Sequence, residues 1–220
     1  LRSPLSAVKW QLNVMLSEES KGEVAMTEHS RSCLEAIYGQ NERMIRAVND
    51  LLEVNRIEDN DLILRPTLFS LYALTEQIRK SYEKFSSANN VNITIFAQND
   101  LPMVFADEER IKRAIEHLID NAIRYSAKKG EIKVNIKYYG DQIVWKIIDE
   151  EVGIPGTDRT RVFDKFFRSV NASRYQTEGS GVGLFIAKSI IKMHGGVIGY
   201  SSELEKGSTF WFSLPIKSKS

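Results

Sequence analysis

Residues 179–193 read GSGVGLFIAKSIIKM, three glycines at alternate positions followed by an apolar run that predicts a helix from Gly183 through Met193. Glycines in that pattern let a backbone approach an anion closely, and a helix N-terminus adds free N–H groups and a favourable dipole. A turn that only bends the chain has the same composition. No strand leads directly into the run, so it is not a dinucleotide fingerprint, and no Gly-Lys-Ser/Thr follows, so it is not a Walker loop.

Upstream, QIVWKIID ends at Asp149 and continues as EEVGIP. A carboxylate closing an apolar strand needs hydrogen-bond donors if it is buried. An adenine amine is one such donor, and a capped strand end satisfies the same need. Further back, HLIDNAIRYS continues a helical stripe formed by Ile111, Ala114, Ile115, Leu118, Ile119 and Ala122. There the Asn121 amide oxygen can ligate Mg²⁺, Arg124 can pair with phosphate and Tyr125 can stack on a base. A solvated polar helix face reads the same way in isolation.

Outside these motifs the chain is ordinary. It has 220 residues, a net charge of +1, 42% hydrophobic and 27% charged residues, which excludes disordered and collagen-like classes. The balanced charge gives no basic field for nucleic acid. No run of about 18 apolar residues is present, and the opening LRSPLSAVKWQL is too polar for a signal peptide. Cys33 is the sole cysteine, so an intramolecular disulfide is excluded and a reducing, cytoplasmic setting is expected.

Two domains are expected, 1–60 and 61–220. In the first, Leu5, Val8, Leu12 and Met15 form one helical stripe. Leu34, Ile37, Asn41, Met44, Val48, Leu51 and Asn55 form a heptad seam after a polar connection. Such a hairpin has little core of its own; pairing with a second copy as a four-helix bundle would bury both stripes, and a monomeric hairpin packed on the rest of the chain is the alternative. Beyond a connector ending near Leu71, the pattern predicts a helix over 71–88 and a strand at VNITIFA. It then predicts a helix from Asp107, strands EIKVNIKYYG and QIVWKIID, the 183–193 helix, and a closing strand pair turning at Lys206-Gly207. Helices and antiparallel strands in separate runs imply an α+β sandwich.

Taken in order, these segments resemble the transmitter core of the sensor histidine kinases over nearly the whole chain. LRSPLSAVK is similar to the tail of the H-box, HLIDNAIRYS to the N-box, DEEVGIP to the G1 box, VFDKFFRS to the F-box, GSGVGL to the G2 box and GSTFWFSLP to the closing strand. The resemblance implies a dimeric helical hairpin, 1–60, that carries the phosphoacceptor, and a Bergerat-type ATP-binding domain, 61–220. It implies ATP and Mg²⁺ as ligands, with Asn121 on the metal and Asp149 on the adenine amine. Arg124, Tyr125, Gly153, Ile154, Phe166, Thr209 and the run Gly179, Ser180, Gly181, Val182, Gly183 and Leu184 would border the nucleotide. Residues 168–178 would form a lid beginning at Arg168, which would stabilise charge during transfer. Phe163, Phe166 and Phe167 would anchor that lid. Implied partners are a second copy and a response-regulator receiver domain docking near Ser3 and Lys9, with sensor and membrane segments upstream.

Four departures from the family pattern stand out. The acceptor histidine, normally just before Leu-Arg-Ser-Pro, is expected upstream of Leu1, because His29, His117 and His194 lie elsewhere. Ser3 stands where the family often has Thr or Asn for phosphatase chemistry. Glu151 replaces the first G1 glycine, which penalises positive φ and adds charge near phosphate, and His117 replaces the first N-box Asn. A catalytically degenerate scaffold is the competing reading. A chaperone or topoisomerase relative is a third, and the heptad hairpin argues against it.

Overall fold

A computed structural model describes every residue except 1, 22–24, 60, 127–129, 151–152, 170–178, 205 and 217–220, and only the backbone of Arg2 and Ser3. The chain divides into two compact units, Leu1–Asn60 and Asp61–Ser220.

The first unit is a hairpin of α1 (Arg2–Ser20) and α2 (Glu28–Glu58). Thr27 caps α2 by accepting the Ser30 N–H. Leu12 of α1 and Val54 of α2 are buried. Seam residue Asn41 is also buried and donates from Nδ2 to the Leu5 carbonyl at 3.0 Å, so its polar group joins the two helices. The remaining seam is open. Ile37, Met44 and Leu51 are each about half exposed, and Trp10 is 67% exposed.

In the second unit, β1 (Thr67–Phe69) pairs antiparallel with β3 (Val104–Ala106). The main sheet has the order β2-β4-β5-β7-β6, from β2 (Asn92–Ala97), β4 (Glu131–Tyr138), β5 (Gln142–Asp149), β6 (Val197–Glu203) and β7 (Gly207–Pro215). Helices α3 (Leu71–Ser81), α4 (Glu83–Ala88), α5 (Glu108–Tyr125) and α6 (Gly183–Met193) complete the unit. Ile132, Val134 and Ile136 of β4, Ile143, Trp145 and Ile147 of β5 and Phe210, Phe212 and Leu214 of β7 are buried on one sheet face. The apolar stripe of α5, from Ile111 to Ile123, is buried with them. Trp145 stacks on Phe212 at 5.2 Å and donates its indole N–H to the buried Thr75 hydroxyl at 3.1 Å, tying α3 to the sheet.

The α+β class is as expected, with three local differences. The 71–88 helix is two helices, broken at Tyr82. The connector contains β1, and β3 precedes α5, both three residues long and too short to show a period. Finally, β2 pairs parallel with β4 rather than antiparallel. Among the described residues no helix is long and apolar enough to cross a membrane.

Candidate functional site

Asp149 ends β5 with 5% exposure. Its Oδ1 accepts the Ser208 backbone N–H at 3.0 Å. The Ser208 hydroxyl lies 3.0 Å from the Ser202 hydroxyl, which donates to the Gly207 carbonyl at 3.0 Å and accepts the Ile154 N–H at 2.8 Å. A hydroxyl has one proton and two lone pairs, so Ser208 is the donor to Ser202 and the network closes. One carboxylate is thereby fixed by β7, and the segment following it is pinned to β6.

Ser202 and Ser208 were not legible as site residues, since only the β5–β7 register sets Ser208 opposite Asp149. The same register corrects the reading of Thr209. It pairs with Ile148 and Ser201 and so lies on the opposite face of the sheet from Asp149.

Gly153 has φ +62°, and a methyl group there would overlap the Glu203 carbonyl oxygen. Its close approach is thus to the end of β6, a requirement of the protein's own packing.

The glycine turn rests on the F-box backbone. A Cβ at Gly181 would come within 2.9 Å of Phe166 C and Phe167 O. Val182 is buried and anchors the turn, while Gly179 and Ser180 are exposed. The Arg168 guanidinium carbon lies 3.8 Å from the Cβ position of Gly179, which sets a cation beside the turn. Phe163 packs edge-on against Tyr200 and Phe210. Phe166, by contrast, is 58% exposed at φ +63°, so its ring is no core anchor. Leu184 is half-buried in the first turn of α6.

Gly183 also meets α5, because its Cβ position is 3.0 Å from His117 Nδ1. His117 is half-buried, and its pKa is pushed down to about 3, first by desolvation and then by the Arg113 charge. The imidazole is therefore neutral at pH 7. Between about pH 6.5 and 3 the unfolded chain binds a proton that the folded chain does not, so His117 makes stability fall as pH falls through that window. At pH 5 the expected cost is about 2 kcal/mol. Thermal melts at pH 7 and pH 5 check it: His117→Gln is expected to lose less stability over that interval than the parent chain.

Asn121 and Tyr125 are half-buried along α5. Arg124 differs from the expectation that it meets phosphate. Its Nε and Nη2 donate to Asp120 at 2.6 and 3.2 Å, and its guanidinium lies 5.7 Å from the Phe85 ring centre. It is held within the domain by a two-point ion pair. The Ser3 side chain, Glu151 and lid residues 170–178 lie outside the described residues.

The donor set suits a purine nucleotide: a buried carboxylate at a strand end can accept from an amine, and a glycine turn with a cation beside it at a helix start suits phosphate. Among the described residues no three His, Cys, Asp or Glu side chains group as a metal site. A single amide such as Asn121 suits Mg²⁺ carried mainly by phosphate oxygens.

The mixed five-stranded sheet with helices packed on it makes the second unit an α/β sandwich. Residues 106–218 match the histidine kinase-, DNA gyrase B- and HSP90-like ATPase family, and the chain belongs to it. Over 98% of its length the chain is 32% identical to the adaptive-response sensory kinase SasA of Synechocystis, covering 56% of that protein. The fold matches ShkA, crystallised in complex with AMPPNP, with TM-score 0.76 and 24% identity over 97% of this chain and 43% of that one. It also matches ThkA, crystallised with the response regulator TrrA, with TM-score 0.67 and 22% identity over 97% and 60%. The architecture is that of a sensor histidine kinase transmitter core. The chain spans between 23% and 56% of the length of the curated relatives it matches.

Proposed function

We propose that the chain is the ATP-dependent protein-histidine kinase core of a two-component system. In the first step the bond between the γ-phosphorus and its bridging oxygen breaks. A P–N bond forms to a histidine imidazole upstream of Leu1, and the electron pair leaves with ADP. In the second, the P–N bond breaks and a P–O bond forms to an aspartate of a response regulator. The observation that carries this reading is the buried Asp149 carboxylate, held by the Ser208 N–H at a strand end, where an adenine amine can donate to it.

Little covalent chemistry falls to the protein in phosphoryl transfer, so its residues act by position and charge. Asp149 and Tyr125 orient the base. The 179–184 turn and the Arg168 guanidinium face the phosphates. Asn121 would hold Mg²⁺, which would supply neutralisation of phosphate charge when bound. The chain acts as the cytoplasmic part of a membrane-bound sensor, and the regulator docks on the hairpin near Ser3 and Lys9. That ThkA was crystallised in complex with a response regulator supports a regulator as partner.

Calorimetric titration with Mg·ATP tests the nucleotide reading. Asn121→Ala is expected to remove the Mg²⁺-dependent part of the affinity, and an unchanged value places the metal elsewhere. The degenerate scaffold is the second reading, favoured by Arg124 being tied to Asp120. Absence of binding at millimolar nucleotide leaves it ahead.

The hairpin is the dimerisation element in this proposal. Its open seam of Ile37, Met44 and Leu51 supports a second copy, because lone helices seldom leave such a stripe in water. Ile37→Glu with Met44→Glu is expected to convert a dimer to a monomer in sedimentation equilibrium. A parent chain that sediments as a monomer removes the bundle.

A further inference from the structure

The two helices that carry the proposed nucleotide groups run antiparallel, and both ends of α6 touch α5. At one end Gly183, the first residue of α6, lies against His117 of α5. At the other, His194, which caps α6, lies against Asp107, which caps α5.

The chemistry of the second contact is specific. His194 Nδ1 is 2.8 Å from the Ile190 carbonyl, which can only accept, so Nδ1 carries the ring proton. Nε2 is then a lone-pair acceptor and takes the Asp107 N–H at 3.1 Å. That N–H belongs to an N-cap residue and is not used by the helix that Asp107 opens. The Asp107 carboxylate is committed as well, with Oδ1 accepting the Arg110 N–H at 3.1 Å and Oδ2 accepting the Arg65 N–H at 2.8 Å. Asp107 is 8% exposed, so its N–H has little water to turn to if the ring is lost.

We propose that His194 is a positioning residue for the phosphate half of the nucleotide site. It sets the axial register of α6 against α5, and so the placement of the 179–183 turn against His117 and Asn121. This inference rests on the nucleotide reading above. The adenine half is built separately, by Asp149 of β5 and Ser208 of β7. A shift of α6 should therefore weaken contacts to phosphate and leave contacts to the base alone.

The test compares Mg·ATP and adenosine binding by the full chain, well below its melting temperature, for the parent, His194→Phe and His194→Gln. Phenylalanine fills the ring volume without the acceptor, and the glutamine amide oxygen reaches the Nε2 position. The expected result for His194→Phe is a loss of about tenfold in Mg·ATP affinity, with adenosine affinity within about twofold, since losing one hydrogen bond to a charged group costs about tenfold or more. His194→Gln should restore Mg·ATP binding, a rescue that packing alone does not predict. Equal losses for both ligands, no loss for either, or a glutamine variant as weak as phenylalanine overturns the proposal. If the phenylalanine variant fails to fold, His194→Asn, which keeps the Nδ1 bond and falls short of Asp107, is expected to give the same split. A parent chain that binds neither ligand defeats the nucleotide reading and this inference together, whereas a parent that binds both with no split in the variants defeats this inference alone.

Discussion

Replacing Asp149 by alanine is expected to abolish detectable ATP binding and to lower stability at the same time. The carboxylate is 5% exposed and accepts the Ser208 N–H at 3.0 Å. Truncation leaves that buried donor without its acceptor, at a cost of about 1–3 kcal/mol. It also removes the acceptor proposed for the adenine amine. A site built around such a hydrogen bond discriminates strongly, so the affinity loss should be at least about a hundredfold. Asp149→Asn separates the two effects. Its amide oxygen can still take the Ser208 N–H, while its amide nitrogen can donate to the guanine O6, so the variant should fold well and lose preference for ATP over GTP. Calorimetry with both nucleotides and a thermal melt check the pair. Parent-like ATP affinity in Asp149→Ala would remove the adenine assignment.

The second large effect is expected at Gly153. A left-handed φ of +62° costs an alanine about 1–2 kcal/mol, and its methyl would overlap the Glu203 carbonyl oxygen. Together these should destabilise Asp61–Ser220 by about 3 kcal/mol, or roughly 6–12 °C in melting temperature for a unit of this size. The loop has to lift from the end of β6, which pulls the Ile154 N–H from the Ser202 hydroxyl. Nucleotide affinity should fall with it. A melting temperature within about 2 °C of the parent's would show that the turn yields freely.

Much of the fold was legible because it is periodic. The apolar stripe of α5 from Ile111 to Ala122, the start of α6 at Gly183 and the paired strands around Gly140-Asp141 and Lys206-Gly207 repeat at spacings that burial demands. Short elements carry no period, and β1 and β3 escaped for that reason. The break at Tyr82 has no breaker residue to announce it. There the Tyr82 hydroxyl reaches the Glu116 carbonyl at 3.5 Å, a contact with α5 that only the folded chain supplies.

At the site the division is sharper. Asp149, Asn121 and the glycines of 179–183 could be singled out as types, since a carboxylate ending an apolar strand and glycines before a helix are unusual where they stand. What each one touches is long-range. Arg124 could as well have faced phosphate, and one helical turn back Asp120 holds it. Thr209 and Ser208 are neighbours in the chain, yet strand register puts only Ser208 on the face of Asp149. From its amino acids alone this protein declared its class, its helical hairpin and the groups proposed to grip a nucleotide, because periodicity and residue chemistry are local properties. Which serine supports the carboxylate, which histidine meets which helix and where each arginine spends its charge were decided by tertiary structure, because hydrogen bonds between distant segments depend on register and helix packing that no short stretch encodes.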